Sequence, residues 1–242
     1  MTENTQEKVT TEVPDLTKGD KINTYIRSTF LLGSFNFERM QSIGFAVSMI
    51  PAIKRFYTKK EDQAEALTRH LEFFNTQPWI GSAIMGVTAA MEEERANGAP
   101  IDDAAINGVK VGLMGPLAGV GDPIFWGTAR PVFAALGAGI AQSGSLLGPI
   151  LFFVLFNAVR LFVRYWGIQY GYKKGLEIVS DMGGGALQKI TEAASILGLF
   201  VMGALVNKWT TINISLPLPT GGDTFPITVR SVLDPVLAPI PG

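Results

Sequence analysis

Read from its start, the chain alternates polar stretches with apolar runs that are short or interrupted. Residues 1–20 are rich in Thr, Glu and Lys and read as a disordered tail. Residues 21–57 turn apolar and aromatic. Ile22, Tyr25, Ile26 and Thr29 follow helical spacing, as do Met40, Ile43, Val47 and Ile50, with a break over 33–36. Neither run reaches the roughly 20 apolar residues of a standard span. The pattern predicts amphipathic helices lying at the membrane interface, with Arg27, Arg39, Lys54 and Arg55 toward the headgroups. Residues 58–69 follow as a water-facing helix, with Thr58 or Asp62 to cap it. Together, 21–78 form a predicted interfacial unit on the cytoplasmic side.

A membrane-embedded region is predicted over 79–208. Two apolar arms, 79–91 and 104–114, flank the acidic run 92–103, whose Asn97-Gly98 marks a solvated turn. The spacing predicts a helical hairpin over 79–114, too short to cross a bilayer alone and re-entrant in character. Residues 110–131 are apolar, yet hold Gly112, Gly115, Gly119, Gly121 and Gly127 together with Pro116, Pro123 and Pro131. Interior prolines delete backbone hydrogen bonds, and glycines weaken helices, so a broken helix is predicted here. Residues 146–163 are long enough to span. Arg160 and Arg164 near the end of that run are placed to snorkel, and Asn157 to bond a neighbouring helix. Residues 190–206 form a second candidate span. Over 209–242 the alternation and the Pro-Thr-Gly-Gly-Asp turn predict a β-hairpin outside the membrane and a Pro-rich end. The fold class is therefore a mostly α-helical integral membrane protein with short, broken and re-entrant helices and a small extramembrane β-hairpin near the C-terminus.

Composition supports this class. Of 242 residues, 47% are hydrophobic and only 17% charged, against about 25% charged in an average soluble domain. Mean hydropathy is +0.26. Of 20 Lys and Arg, half precede His70, a bias that predicts a cytoplasmic N-terminus. The net charge of −1 offers no field for nucleic acid. No cysteine and one histidine leave no thiolate or multi-histidine metal site, and no cofactor is predicted. The glycine spacing of 115–123 matches neither a dinucleotide fingerprint nor a P-loop.

Chemistry concentrates in two places. Residues 70–78, HLEFFNTQP, set amides beside aromatics, a combination that suits a sugar, whose hydroxyls meet amides and whose apolar faces meet rings. The same polar groups would also serve at a helix end. His70 has no acid–base partner beside it in sequence, which argues against a phosphorylated or catalytic histidine. The second place is Gly121-Asp122-Pro123, where Asp122 is either a buried functional carboxylate or the N-cap of a helix beginning at Ile124.

The segments HLEFFNTQP, INGVKVGLMGPLAGVGDPIFWGTARPVFAALGAGIA, SGSLLGP and DMGGGALQKITEAASILGLFVMGALVNKW resemble the IID subunit of the mannose-family phosphotransferase-system (PTS) sugar permease, nearest its mannose/glucose branch. NFERMQ, followed by GF and PAI over 36–53, is similar as well, and the resemblance runs from about residue 27 to 209. Family members continue into a further apolar C-terminal segment, which at Gly242 is either missing or dispensed with. The resemblance implies a multi-pass protein of the bacterial plasma membrane, a transport subunit and not an enzyme. It implies a membrane partner, EIIC, cytosolic EIIA and EIIB that phosphorylate the incoming hexose, a trimer of EIIC–EIID pairs in lipid, and a role as bacteriocin receptor. On this reading Asn75 and Gln77 contact hydroxyls, Asp122 accepts from paired hydroxyls, and Trp126 or Phe74 offers a stacking face, with Glu72 and Asn36 as further candidates. A scaffold subunit that never touches sugar is the alternative; a membrane enzyme using His70 and Glu72 is a third.

Overall fold

The computed structural model describes residues 13–180 and, beyond them, 196, 200, 203, 213–217 and 224–228. The chain divides into two compact units, Met1–Gly198 and Leu199–Gly242. In the first, helices α1 (Lys18–Ser28), α2 (Ser42–Phe56), α3 (Lys60–His70) and α4 (Ser82–Ala96) are followed by α5 (Asp103–Ile124). A π-helical turn, Phe125–Ala129, joins α5 to α6 (Arg130–Ala141), and α7 (Leu147–Ser180) follows.

Order begins earlier than the composition of 1–20 implies. Thr17 and Asp20 form a reciprocal capping box, the Thr17 hydroxyl accepting from the Asp20 amide at 3.1 Å, and α1 starts at Lys18. Leu16 is already buried. The apolar spacing in α1 is real, but its orientation is reversed from a core helix. Thr24 and Ser28 face inward, while Ile22 and Ile26 stay exposed. The turn after α1 lies close on α2: a Cβ on Gly44 would stand 2.1 Å from the Leu31 carbonyl oxygen. In α2 the buried face is Phe45, Met49, Ala52 and Ile53, and Ile43 and Val47 point outward. Neither Thr58 nor Asp62 caps α3, which starts after Lys59 without a side-chain cap.

The core joins Phe45, Met49 and Ile53 of α2 to Ile84 and Met85 of α4 and Ile106 and Val109 of α5. Helices α4 and α7 run side by side in the same direction. Gly167, Gly171 and Gly175 of α7 meet Ser82, Ala83, Val87 and Ala90, and Gly86 meets the α7 backbone at Ile168 and Tyr172. Each would clash with a Cβ, so the two backbones touch directly, as small residues spaced by four allow.

Helices α4 and α5 stand at the predicted hairpin, but its second arm does not stop at 114: helix continues from Asp103 to Ala141, long enough to cross a membrane, and the tip is shorter than 92–103. Asn97 caps α4, Gly98 takes φ +95° in the turn, and Asp102 caps α5 by accepting from the Ala105 amide at 2.7 Å. Glu92 and Glu93 belong to α4 and are buried. The predicted break over 110–131 is corrected too. Pro116 and Pro123 lie inside α5, and helical structure continues to Ala141. The disruption is absorbed by one widened turn, in which the Arg130 amide donates five residues back to the Phe125 carbonyl. Where no water can satisfy a freed backbone group, local helical adjustment is favoured over a gap.

Two apolar stretches, Asp103–Ala141 and Leu147–Leu176, are long enough to cross a membrane, and only 11% of the most apolar part of either is buried within the chain. Arg164 does not snorkel: it is buried on α7, its Nη2 donating to the Pro78 carbonyl at 3.4 Å. Asn157 bonds within its own helix, donating to the Phe153 carbonyl and accepting from Arg160 Nε, each at 2.6 Å. The second candidate span, 190–206, lies mostly outside the described residues. In the second unit, β1 (Asn213–Pro217) and β2 (Thr224–Thr228) pair antiparallel with Ser215 opposite Pro226. A two-stranded pair is at best marginal in water by itself, so this ladder does not establish an extramembrane hairpin domain.

Candidate functional site

The loop between α3 and α4 brings part of the predicted site together. The Gln77 carboxamide oxygen accepts from the Trp79 and Ile80 amides, both at 2.8 Å, and so sets the start of α4. Its Nε2, also buried, has no hydrogen-bond partner among the described residues. The loop lies against α5. Thr76 donates its hydroxyl to the Met114 carbonyl at 2.8 Å, and a Cβ on Gly121 would meet the Gln77 side chain at 2.7 Å. Glycine at 121 therefore admits Gln77 to the helix next to Asp122.

Asp122 does not start a helix. It sits in the last turn of α5, exposed, with its carboxylate engaging the Trp126 side chain one turn on. Trp126 lies in the π-turn, 41% exposed, 5.1 Å from the Trp79 ring, with the Arg130 guanidinium 5.2 Å above it. Phe125 and Phe156 complete an aromatic cluster around Trp79 at 4.6 and 5.3 Å. Gln77, Asp122 and Trp126 thus converge at the one irregular turn of a long apolar helix. An exposed carboxylate, a cation and an indole face meet there, a set that can hold hydroxyls and stack a sugar ring.

The other predicted residues stand apart. Phe74 is fully buried against Phe45 at 4.4 Å and presents no free face. Asn75 is exposed, and its carboxamide oxygen accepts from Gln41 Nε2 at 3.3 Å. Asn36 caps its own turn, accepting from the Glu38 and Arg39 amides at 3.1 and 2.8 Å. Glu72 is exposed.

Sequence reasoning missed a buried charge cluster at the opposite end of α4. Glu92, fully buried, lies 3.0 Å from His70 Nε2 and 3.1 Å from Arg69 Nε, and accepts from the Tyr57 hydroxyl at 2.7 Å. Arg69 and Arg95 both bond Asp103, and Arg95 reaches Glu65 at 3.4 Å. Glu93 accepts from Tyr172, whose ring lies 3.8 Å from Lys21 Nζ. The run Glu92–Arg95 therefore ties α4 to α1, α2, α3, α5 and α7. The acid partner that His70 lacks in sequence comes from a helix 22 residues on. Burial pushes the His70 imidazole below its ordinary pKa, outweighing the pull of Glu92, and Lys110 and Arg69 add to the effect. Burial alone would raise the Glu92 carboxyl, but His70, Arg69 and Tyr57 bring it below the ordinary value. The pair is neutral imidazole against carboxylate, sealed from solvent. The one available signal was helical phase: Glu92 continues the i, i+4 positions of Ile84 and Thr88, which face inward.

The family model for the "PTS system mannose/fructose/sorbose family IID component" matches residues 15–240. The mannose-specific EIID component of Escherichia coli K12 is 63% identical over 233 residues, 94% of this chain and 82% of that protein. A sorbose-specific EIID component from Klebsiella pneumoniae is 60% identical, over 92% of this chain and 83% of its own. Among solved structures, a chain from the cryo-EM structure of the mannose transporter ManYZ in complex with microcin E492 matches with a TM-score of 0.76. It is 63% identical and covers 92% of this chain and 83% of the other.

Proposed function

The chain belongs to the mannose/fructose/sorbose family of PTS IID components, and from that premise we propose that it forms a hexose permease with a separate EIIC membrane subunit. As a IID component it is a membrane transport subunit, not the phosphoryl-transfer catalyst, and a protein of the bacterial inner membrane. The cargo is a hexose of the mannose/glucose type, phosphorylated by cytosolic EIIA and EIIB as it enters. EIIC–EIID pairs assemble as a trimer in lipid, with the N-terminus cytoplasmic. The similarity to a ManYZ chain solved with a microcin supports a further role as bacteriocin receptor.

The observation that carries the sugar reading is the convergence of Gln77, Asp122 and Trp126 at the π-turn. π-turns inside helices recur at functional sites. Asp122 supplies an acceptor and Trp126 a stacking face, while the buried, unpartnered Gln77 amide becomes a donor only if the loop after α3 moves. Asn75, Glu72, Asn36 and Phe74 take more distant parts, reached only if the loops around them move.

A second reading, a scaffold that holds EIIC without touching sugar, is favoured by one fact: Asn36 and the Gln77 oxygen are spent on their own backbone. Hexose uptake separates the two. Co-expressed with the partner subunits and matched for complex recovery, Asp122→Asn should lower uptake about tenfold or more, since a lost charged contact is worth roughly 1.5–3 kcal/mol, and Trp126→Ala should lower it about two- to tenfold through the lost stacking face, worth roughly 0.5–1.5 kcal/mol. Full uptake by both variants would leave the scaffold reading.

A further inference from the structure

The turn between α1 and α2 lies outside the π-turn site, and a cleft opens beside it. The cleft holds about 650 Å³, and Phe37, Glu38, Arg39, Ser42, Ile43 and Leu71 line it. Its wall is not a slack loop. The Asn36 and Met40 backbones exchange hydrogen bonds at 3.2 and 2.9 Å, and Asn36 Oδ1 accepts from the Glu38 and Arg39 amides. Met40 takes φ +54°, a left-handed conformation uncommon for a residue other than glycine. Such strain persists where the surroundings fix it, and it clusters at ligand clamps. Here the Gln41 amide donates to the Phe74 carbonyl at 2.8 Å, and Arg39 Nη1 to the Leu71 carbonyl at 3.3 Å.

Three features of the lining are unspent. The Phe37 ring is 94% exposed. The Glu38 carboxylate, 80% exposed, faces Arg39 Nε at 3.4 Å. Ser42 is fully buried, yet its hydroxyl has no hydrogen-bond partner among the described residues, and α2 begins there without a side-chain cap. The turn also sits at the level of the spanning helices. Gln41 Nε2 donates to the Thr76 carbonyl at 2.8 Å, and Thr76 bonds Met114, which lies within the apolar stretch Asp103–Ala141. Ionised side chains at that level are costly against lipid and mark a polar cavity.

We propose that the cleft is a second binding site for the neutral hexose, separate from the π-turn. The inference rests on the hexose-permease reading. Glu38 and Arg39 offset each other, so the cleft favours an uncharged ligand over an anion such as a sugar phosphate. A carboxylate, a guanidinium and a hydroxyl suit the paired hydroxyls of a sugar, and the Phe37 ring suits its apolar face. The volume falls within the range of small-molecule pockets, ~300–1,000 Å³. The loop over 74–77 joins the two sites: Gln41 holds Thr76 at one, and Gln77 packs on Gly121 at the other. Hexose thus meets two stations along one loop.

The chain has no cysteine, so Ile43→Cys, at a position 41% exposed in the cleft wall, reports this place alone. The complex with its membrane partner is held in nanodiscs without EIIA and EIIB, and labelling of this chain by a charged maleimide is timed. Glu61→Cys, on the exposed start of α3, is the control. Because a pocket covers most of its ligand, mannose should slow labelling at 43 about threefold or more. It should leave 61 unchanged, and mannose 6-phosphate should protect neither. Adding Glu38→Gln should raise the mannose needed for half-protection about tenfold, the loss expected for a hydrogen bond to a charged group. Adding Asp122→Asn should not. Labelling at 43 that ignores mannose, equal protection by mannose 6-phosphate, or no labelling under any condition overturns the proposal. So does protection that survives Glu38→Gln and vanishes with Asp122→Asn, which would be transmitted from the π-turn. Each of these results leaves hexose uptake intact, whereas failure of the permease reading removes uptake itself.

Discussion

Replacing Glu92 by alanine tests whether the acidic run is a structural hub or a solvated stretch. The substitution removes one carboxylate from three partners: His70 at 3.0 Å, Arg69 at 3.1 Å and Tyr57 at 2.7 Å. Removing one member of a buried ion pair costs about 3–5 kcal/mol, because its partner is left uncompensated. Arg69 keeps Asp103, so the lower end applies, about 3 kcal/mol. The Tyr57 hydroxyl loses its acceptor, adding about 1 kcal/mol. A loss of about 4 kcal/mol at roughly 2–4 °C per kcal/mol lowers Tm by about 8–16 °C in a chain of this size. The assay is thermal unfolding of the detergent-solubilised full chain, followed by intrinsic fluorescence and by recovery in size exclusion. Glu94→Ala, two residues on and only half-buried, is the control and should shift Tm by about 2 °C or less. If Glu92→Ala melts together with Glu94→Ala, the hub carries no stability and the reasoning fails.

Acid should weaken the same hub. Below about pH 6.5 the unfolded chain binds a proton at His70 that the folded chain resists, so Tm should fall as pH drops, with Glu92 adding to the loss below about pH 4.5. His70→Gln should flatten the upper part of that slope; an unchanged slope would assign the acid sensitivity elsewhere. At the α4–α7 contact, Gly171→Ala puts a Cβ 2.1 Å from the Ala83 carbonyl oxygen, and the backbones must part. The expected cost is about 1–3 kcal/mol or more, seen as a lower Tm, whereas Gly139→Ala, with open space around it, should leave Tm unchanged or higher. Equal melting of these two variants would contradict the direct backbone contact.

Much of the helical order was legible because it is local. The acidic, Asn-Gly-marked turn between two apolar arms predicts the α4–α5 hairpin, and the long apolar run predicts α7. The break before α2 follows from Gly33 and Asn36. Boundaries and orientation were less accessible. The glycines and prolines of 110–131 predict interruption if each is scored by its cost in water. Among apolar surroundings the chain keeps its hydrogen bonds, and the penalty collapses into one π-turn. The spacing of Ile22 and Ile26 marks a helix face, but the period does not say whether protein or lipid covers it.

The candidate site divides the same way. The sugar-like chemistry of Gln77, Asp122 and Trp126 was readable from residue type, and their family resemblance from motif. Their meeting depends on Gly121, whose missing side chain lets the loop after α3 touch α5 more than 40 positions on. Asn36, equally suggestive by type, is bound into a turn. Length, hydrophobic period and composition are properties of the chain taken in order, and they determined a mostly helical membrane protein. The hub around Glu92 and the partner of His70 were decided only by tertiary packing, because an ion pair needs two side chains within about 4 Å, and sequence distance says nothing of that.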